Sequence, residues 1–595
     1  MTSLPLLSIA IFLPVVGSLL LLAISNRDDS NEGLIRNVTL ATSVATFAVC
    51  LALWAGFDGS GTGAPFQFVE RHEWIPAFRI EYYLGIDGLS LMLIVLTGFL
   101  TPIALLSSWE SVHTKVKAFS IFMLLLEAAM IGVFCSLDTF LFYIFWDFML
   151  IPMYFLIGVW GYDRRIYAAI KFMLYTMAGS VLMLVAIIGL AWIHQSTTGE
   201  YSFDLLELYE LQIPEDTQYW FFLAFAVAFA IKVPLFPFHT WLPDAHVEAP
   251  TPGSVILAGV LLKMGGYGLI RFAFPLFPQA GLYFAPALAT LSVFAIVYGA
   301  LVSMVQPDLK KLVAYSSVSH MGFVVLGIAA MNVQGVQGAS YQMLAHGVST
   351  GALFCLVGML SDRRHTRLIS EFGGLKRGMP QLTAGFLLIT LSSVGLPGMN
   401  GFIGEFLILL GAFRWDSRFV VVAALGVILS AVYMLWMFQR VFFGPVTNHE
   451  NEKLPDLSFR EWAIVGPLAA MAIAMGVVPN VFLKPMEPAV QRVVERVQAH
   501  QPLRAANPSE PVRTSQNLSA PVGTVLPASA RSPGRAELRR GLADQPPPRL
   551  RQGYVEASPE PFGRRRARLR RSAEAFAKAE AAVGREGGTP PGLVR

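Results

Sequence analysis

Charged residues are scarce in this sequence: Asp, Glu, Lys and Arg make up 14% of its 595 residues. A soluble globular chain carries about 25%, so the deficit argues against a water-soluble fold. Hydrophobic residues reach 54% and recur in long runs, which is typical of a protein that crosses a membrane many times. The formal net charge of +4 is small and gives no indication of nucleic-acid binding.

Cysteines and cofactor motifs are also few. Cys50, Cys135 and Cys355 lie far apart in apolar runs and form no CxxC pair, which argues against an iron–sulfur or zinc site. His239 and His246 lie seven residues apart, but no carboxylate or thiolate set completes a metal site. The sequence has no phosphate-binding loop, dinucleotide fingerprint or nucleophile motif. We therefore expect no metal, nucleotide or redox cofactor in this chain.

Apolar segments of membrane-spanning length follow one another almost without pause. They predict an all-α polytopic membrane protein with about 14 transmembrane helices. The predicted segments cover residues 4–24, 37–57, 86–108, 118–136, 139–160, 167–193, 219–243, 254–275, 281–305, 311–331, 339–360, 381–409, 418–442 and 461–481.

The basic residues of the connecting loops predict the orientation of these segments. Most of them follow odd-numbered segments, whereas the even-numbered connections hold little beyond Arg71, Arg79, Arg414 and Arg418. Because basic loops stay on the cytoplasmic side, the odd connections are predicted to be cytoplasmic. The N-terminus is then predicted on the outer, periplasmic side, and the last segment also ends outside.

The seventh and twelfth segments are predicted to be broken helices. Residues 232–243 contain three prolines, and residues 393–404 contain a proline and four glycines. Such breaks survive in a bilayer only where the backbone is buried in protein or lines a wet cavity. Since the breaks lie five segments apart, they suggest two inverted five-helix repeats. The alternative is two unrelated proline kinks.

The chain is predicted to divide into four membrane regions and a tail. The tail is rich in Pro, Arg, Ala, Gly and Glu, lacks a spanning run and is predicted to be disordered. The predicted regions are the N-terminal helices 1–115, the first repeat 116–275, the second repeat 276–445, a last transmembrane helix with an amphipathic end 446–500, and the basic, Pro-rich tail 501–595.

Ionisable residues inside the apolar segments are the candidate functional groups, because a charge at the bilayer centre is costly and rarely accidental. Asp147 and Lys232 alone would also be explained as a structural ion pair. Two lysines, a histidine and two acids spread over five segments fit such pairing poorly, and together they predict a proton relay. The candidates are Asp147, Lys232, Lys263, His320 and Glu405, with Glu127, His239 and His346 as accessory residues.

A relay of this composition has a simple chemistry. Whether a buried lysine holds or releases its proton depends on the distance of the nearest carboxylate, so movement of Asp147 relative to Lys232 would switch the lysine. Histidine titrates near neutral pH and passes protons between its two ring nitrogens. Glu405 is predicted as the exit carboxylate, and the helix breaks are predicted to admit water.

Four sequence motifs carry a specific resemblance. The chain contains FWDFMLIPMYFLIG, IKVPLFPFHTWLPDAHVEAPTPGSVILAGVLLKMGGYGLIR, DLKKLVAYSSVSHMGF and LPGMNGFIGEF. Together they resemble the antiporter-like membrane subunits of respiratory complex I, over about residues 1–495. Glu405 makes the chain more similar to the chain M type, the counterpart of mitochondrial chain 4, than to the chain L type, which has lysine there.

The resemblance implies a role for each candidate. Lys232 resembles the family's switching lysine, Lys263 its central lysine, His320 the linking histidine and Glu405 the exit acid. The family normally has glutamate where this chain has Asp147. The shorter side chain keeps the charge and loses one methylene of reach, which weakens the expected contact with Lys232.

The resemblance also implies where the redox chemistry takes place. NADH, FMN, iron–sulfur clusters and quinone would be held by partner subunits, and this chain would move protons beside neighbouring antiporter-like chains. The location would be the inner (plasma) membrane of a bacterium. The chain would contact the lipid bilayer and would bind no nucleic acid. The alternatives are a subunit of a multi-subunit Na⁺/H⁺ antiporter, a subunit of a membrane-bound hydrogenase complex, and a purely structural scaffold.

Overall fold

The computed structural model describes residues 4–25, 31–446 and 448–500. Helices make up most of this part of the chain. The predicted tail, residues 501–595, lies outside the described residues.

Twelve helical runs of the described residues are long and apolar enough to cross a membrane, which confirms a polytopic helical fold. Two of the runs are not single α-helices: the fifth is divided at Met149 into α5 (Thr139–Phe148) and α6 (Leu150–Trp160), and the seventh contains π-helical turns. The twelve runs are α1 (Leu6–Ala23), α2 (Glu32–Gly56), α3 (Gly88–Ser107), α4 (Val116–Cys135), Thr139–Trp160, α7 (Arg165–Thr198), Thr251–Leu276, α14 (Pro278–Met304), α15 (Leu309–Ala329), α16 (Val333–Arg364), α19 (Ser417–Phe442) and α20 (Phe459–Val477).

The two segments predicted to be broken are each divided into two helices. The seventh segment gives α9 (Glu215–Lys232) and α10 (Trp241–Glu248), separated by the proline-rich stretch. The twelfth gives α17 (Pro380–Val394) and α18 (Asn400–Trp415). Gly395 and Gly398 between them have φ of +82° and +92°, a left-handed backbone that glycine adopts without strain.

A two-stranded antiparallel sheet corrects the all-α prediction. Strand β1 (Gln67–Ile75) pairs with β2 (Ile80–Ile86), and a short 3₁₀ turn, Pro76–Phe78, joins them. The strands have 9 and 7 residues and lack the long apolar runs that indicate spanning helices, and four polar residues follow one another at 70–73. The hairpin fills the connection between the second and third segments.

The last described helix, α21 (Asn480–Ala499), lies across one end of the bundle. Arg492 and Gln498 donate hydrogen bonds of 3.0 Å to the carbonyls of Pro65 and Met331, and Arg496 pairs with Glu210 at 3.0 Å. These partners lie in connections after the second, tenth and sixth segments. Even-numbered connections therefore meet at one end, as alternating segments require. The short helix α8 (Leu205–Tyr209) lies in the sixth connection.

The centre of the bundle is formed by two runs whose apolar windows are wholly buried, Thr251–Leu276 and α16. The first consists of α11 (Thr251–Ile256), α12 (Leu262–Gly268) and α13 (Phe274–Leu276), with π-helical turns at Leu257–Leu261 and Leu269–Ala273 between them. By contrast, α2 and α19 are mostly exposed, as lipid-facing helices would be. Ionisable residues on the central runs are thus as far from lipid as the fold permits.

Candidate functional site

Lys263 lies on α12, between the two π-helical turns, with no exposed surface. Its Nζ donates a hydrogen bond to the carbonyl of Ala258 and lies 2.8 Å from Nδ1 of His346. A buried ammonium needs acceptors for its protons, and here one main-chain oxygen and one imidazole nitrogen provide them. The lysine is therefore fixed at the bundle centre without a carboxylate partner.

His346, an accessory candidate from the sequence, lies next to Lys263 and His320 at the centre of the bundle. Helix α16 begins at Val333, so His346 lies well inside the helix and not at its start. Its ring centroid is 5.8 Å from that of His320 on α15, and its Nε2 has no partner among the described residues. His346, predicted as accessory, thus bridges the space between Lys263 and His320.

His320 and Glu405 are in direct contact. Nδ1 of His320 lies 2.8 Å from Oε1 of Glu405, and both side chains are almost fully buried. Gln342 donates to the same carboxylate oxygen at 3.2 Å, and Ser393 lies 3.4 Å from Nε2 of His320. His320 and Glu405 are therefore paired. Lys263, His346, His320 and Glu405 form one buried series, called here the central line.

The break in the twelfth segment holds Glu405 in place. Asn400, the first residue of α18, donates to the carbonyl of Ala345 at 3.1 Å and accepts a bond from Ser392 across the break. Gly404 packs directly on Gln342, where a Cβ would come within 2.4 Å of the amide oxygen. The absence of a side chain at position 404 lets α18 approach α16 closely enough for Glu405 to reach His320.

Asp147 and Lys232 make no hydrogen bond or ion pair with each other in the described part of the chain. Nζ of Lys232 has no hydrogen-bond partner in the described part of the chain, and it lies 5.1 Å from the ring centroid of Trp146 and 5.8 Å from that of Phe172. Aromatic faces attract a cation over such distances. The carboxylate of Asp147 instead accepts a hydrogen bond from Ser180 on α7.

The other accessory candidates lie away from the central line. Glu127 is fully buried, receives a 3.3 Å hydrogen bond from Ser43, and its second oxygen has no partner among the described residues. His239 packs against Phe236 and Tyr298, with ring centroids 5.7 and 5.0 Å away. Within the described ranges no group of three or more His, Cys, Asp or Glu side chains could hold a metal ion.

Several buried charges were not anticipated from the sequence, and two of them, Arg271 and Lys310, are basic residues at segment ends. Arg271, at the end of the eighth segment, forms a 2.5 Å ion pair with Asp87 at the start of α3, and both side chains are about 3% exposed. Lys310, assigned only to a cytoplasmic connection, is 4% exposed and donates to the carbonyl of Ala249 at 2.5 Å. Both lie at segment ends, where the apolar pattern does not separate a loop charge from a buried one.

Two family models match the chain. One, described as "NADH:quinone oxidoreductase/Mrp antiporter, TM", matches residues 136–431, which include all residues of the central line. The other, described as "NADH-ubiquinone oxidoreductase chain 4, amino terminus", matches residues 64–136, which include the hairpin. The first description names both NADH:quinone oxidoreductase and the Mrp antiporter, whereas the second names only chain 4 of the oxidoreductase.

Similar proteins extend over most of the chain. NADH-quinone oxidoreductase subunit M of Rhodobacter capsulatus is 46% identical over 510 residues, 83% of this chain and 97% of that protein. NADH-ubiquinone oxidoreductase chain 4 of Marchantia polymorpha is 47% identical over 82% of this chain and 97% of that protein. A chain in the structure of respiratory complex I from Thermus thermophilus with bound NADH has a TM-score of 0.75, 32% identity, and coverage of 82% and 99%. The chain therefore belongs to the NADH-quinone oxidoreductase subunit M and chain 4 family, the antiporter-like membrane subunits of respiratory complex I.

Proposed function

We propose that this chain is a proton-translocating membrane subunit of NADH-quinone oxidoreductase and that its protons move along the central line. The observation that carries the proposal is the sequence of buried contacts from Lys263 to His346 at 2.8 Å and from His320 to Glu405 at 2.8 Å. A structural ion pair has no need of two histidines between a lysine and an acid. A proton path has a use for them, because imidazole accepts a proton on one nitrogen and donates one from the other.

The central line supports proton transfer in a definite order. Lys263 breaks an Nζ–H bond as a new N–H bond forms on Nδ1 of His346, and Nε2 of that ring then releases its own proton. His320 receives it, and the proton passes from Nδ1 to the carboxylate of Glu405. Each transfer leaves the histidine neutral but in its other tautomer, which must revert by ring rotation or by proton exchange with water before the next proton is accepted. Glu405 releases its proton to the outer side.

We further infer fourteen membrane crossings arranged as two inverted repeats, with the N-terminus outside. The inference is supported by the twelve spanning runs together with the two broken segments, α9–α10 and α17–α18, which lie five segments apart. Even-numbered connections contact α21 at one end of the bundle, which supports segments that alternate in direction across the membrane. The basic odd-numbered connections favour the cytoplasmic side for the opposite end.

In this proposal Lys232 and Asp147 act as the switching pair of the first repeat. Lys232 closes α9 at the break, as Glu405 follows the break in α18. Partner subunits of the complex hold NADH, FMN, iron–sulfur clusters and quinone, and neighbouring antiporter-like chains lie beside this one in the inner membrane. The runner-up, a Na⁺/H⁺ antiporter subunit, is less supported, since the second family model describes chain 4 alone.

A Lys263→Met substitution in the complete complex tests the proposal. Methionine keeps the length and apolar stem of lysine but carries no proton, so NADH-driven proton uptake by membrane vesicles is expected to fall by about 100-fold, the scale of one proton-transferring side chain. Lys484→Met, on the exposed face of α21, is the matched control and should leave uptake unchanged. Normal uptake by an assembled Lys263→Met complex would refute the proposal and leave the scaffold alternative.

A further inference from the structure

An acidic cavity of about 630 Å³ opens at the end of the bundle opposite α21. Its walls come from connections after the third, fifth, ninth and eleventh segments, all of them predicted to be cytoplasmic. The carboxylates that line it are Glu110, Asp163, Asp308 and Asp362. The central line contains no residue of this cavity, so the proposed function leaves it without a role.

Lys310 lies beside this cavity and is almost completely buried. Its Nζ donates to the carbonyl of Ala249, at the end of α10, and lies 5.4 Å from the ring centroid of Tyr162, which lines the cavity. Burial raises the pKa of the Tyr162 hydroxyl, so the ring stays neutral beside the ammonium. Asp308 pairs with Arg367 at 3.3 Å, so the ammonium of Lys310 is held by a main-chain oxygen and not by that carboxylate.

His246 is the next ionisable side chain inward. It lies on α10, three residues before Ala249, with no exposed surface, and its ring stacks on Phe354 of α16 at 4.5 Å. Neither of its ring nitrogens has a partner in the described residues. A buried imidazole without partners is costly, which indicates that something polar contacts it during function.

Unpartnered polar atoms continue along α16 from this point to the central line. Thr350 lies one turn from Phe354, and His346 one turn further, so the three share one side of the helix at steps of about 6 Å. Oγ1 of Thr350 and Nε2 of His346 are buried and have no partner in the described chain. Each of these atoms could bind an ordered water, and such waters occupy buried polar sites of this kind.

We propose that the acidic cavity is the entrance for protons and that Lys310, His246 and Thr350 conduct them to Lys263. This inference rests on the proposed function and deepens it, because it assigns the supply route of the central line. It differs from an entrance at Lys232, which is enclosed by Trp146 and Phe172.

The transfer along this route is balanced at each step. The ammonium of Lys310 releases a proton to a bridging water as that water passes one of its own protons to a ring nitrogen of His246. A carboxylic acid of the cavity then protonates the amine that is left on Lys310. The opposite nitrogen of that ring releases its proton through water at Thr350 to the neutral Lys263. The carboxylate is protonated again from the cytoplasm.

Substitutions at Lys310 distinguish conduction from a structural role. A lysine that only caps the end of α10 can be replaced by arginine, whose charge is equally suited to a carbonyl at a helix C-terminus. A lysine that must release a proton cannot, because arginine stays protonated. We expect both Lys310→Met and Lys310→Arg to slow NADH-driven proton uptake by about tenfold, and the adjacent, partly exposed Lys311→Met to leave it unchanged.

Three outcomes of this comparison are decisive. Equal losses in Lys310→Met and Lys310→Arg support the entrance. Restored uptake in Lys310→Arg, or normal uptake in both assembled complexes, overturns it. Lys263→Met serves as the reference: if that variant is blocked while both Lys310 variants pump normally, the entrance fails and the proposed function stands, whereas normal uptake in Lys263→Met removes both.

A variant of His246 gives an independent measurement. His246→Phe preserves a ring that stacks on Phe354 but removes both nitrogens, and it is expected to slow uptake as much as Lys310→Met does. Because residues in series fail as a unit, the double variant should be no slower than either single variant. Additive losses, or normal uptake in assembled His246→Phe, would exclude a route through both residues.

Discussion

The two broken segments place ionisable residues at comparable positions but connect them differently. At the second break, Glu405 is in contact with His320 and Gln342, and the contacts continue toward Lys263. At the first break, Lys232 has aromatic rings around it and no hydrogen-bond partner among the described residues. The second break therefore belongs to a path of two hydrogen-bonded pairs, Lys263–His346 and His320–Glu405, separated by one gap between the histidines. Lys232 at the first break has no hydrogen-bonded neighbour among the described residues.

The difference indicates which half must move. In the central line only the step between His346 and His320 has to be bridged, so protons can pass with little rearrangement. Lys232 and Asp147 can affect one another at close range only after Asp147 leaves Ser180 or the lysine leaves the face of Trp146. Substitutions should consequently act strongly and directly in the second half, and more weakly, through conformation, in the first.

The largest effect is expected from Glu405→Gln. Glutamine has the shape of glutamate but cannot accept a proton under these conditions, so the connected path loses its last group. NADH-driven proton uptake is expected to fall by about 100-fold, measured in vesicles that contain the assembled complex. Glu487→Gln, on the exposed side of α21, is the matched control. Retention of uptake in Glu405→Gln would mean that protons leave elsewhere.

A smaller effect is expected from Lys232→Met. Removing the charge from the aromatic site leaves the central line intact, so uptake should fall by about tenfold, equivalent to ~1.4 kcal/mol in the barrier. The exposed Lys453→Met should show no change. A loss as large as that of Glu405→Gln would show that the first half belongs to the same connected path and would remove the contrast.

The smallest effect is expected from Asp147→Glu. One more methylene lets the carboxylate extend beyond Ser180 toward Lys232, and the number of protons moved per NADH oxidised should rise. The ratio of proton uptake to NADH oxidation measures this directly. An unchanged ratio would show that the position of α5 already compensates for the shorter acid.

Most of the helical architecture follows from the sequence because lipid imposes a simple rule on long apolar runs. The two breaks were predicted correctly, since clustered prolines at 232–243 and clustered glycines at 393–404 disfavour a continuous helix. The hairpin at Gln67–Ile86 was missed because short strands give no signal in a search for spanning runs. The region boundaries at 115, 275 and 445 stay predictions.

The sequence indicated most residues of the central line as candidates, but it did not indicate which of them are in contact. The cost of burying charge identified Lys263, His320 and Glu405 on their helices. It could not show that His346 lies between two of them, because that depends on how α16 packs against α12 and α15. The contact of Asp147 with Lys232, which the shorter acid was expected to weaken, stays a prediction. The hydrogen bond that Ser180 donates to Asp147 could not be anticipated, because serine carries no charge whose burial would be costly.

The hydrogen bond from Lys263 to the carbonyl of Ala258 determines how substitutions can affect this site. An acceptor that belongs to the main chain is present whichever amino acid the gene encodes at position 258. Codon changes can alter the histidines and the acid further along, and so retune the chemistry. They cannot remove this anchor of the lysine without also changing the course of the helix itself.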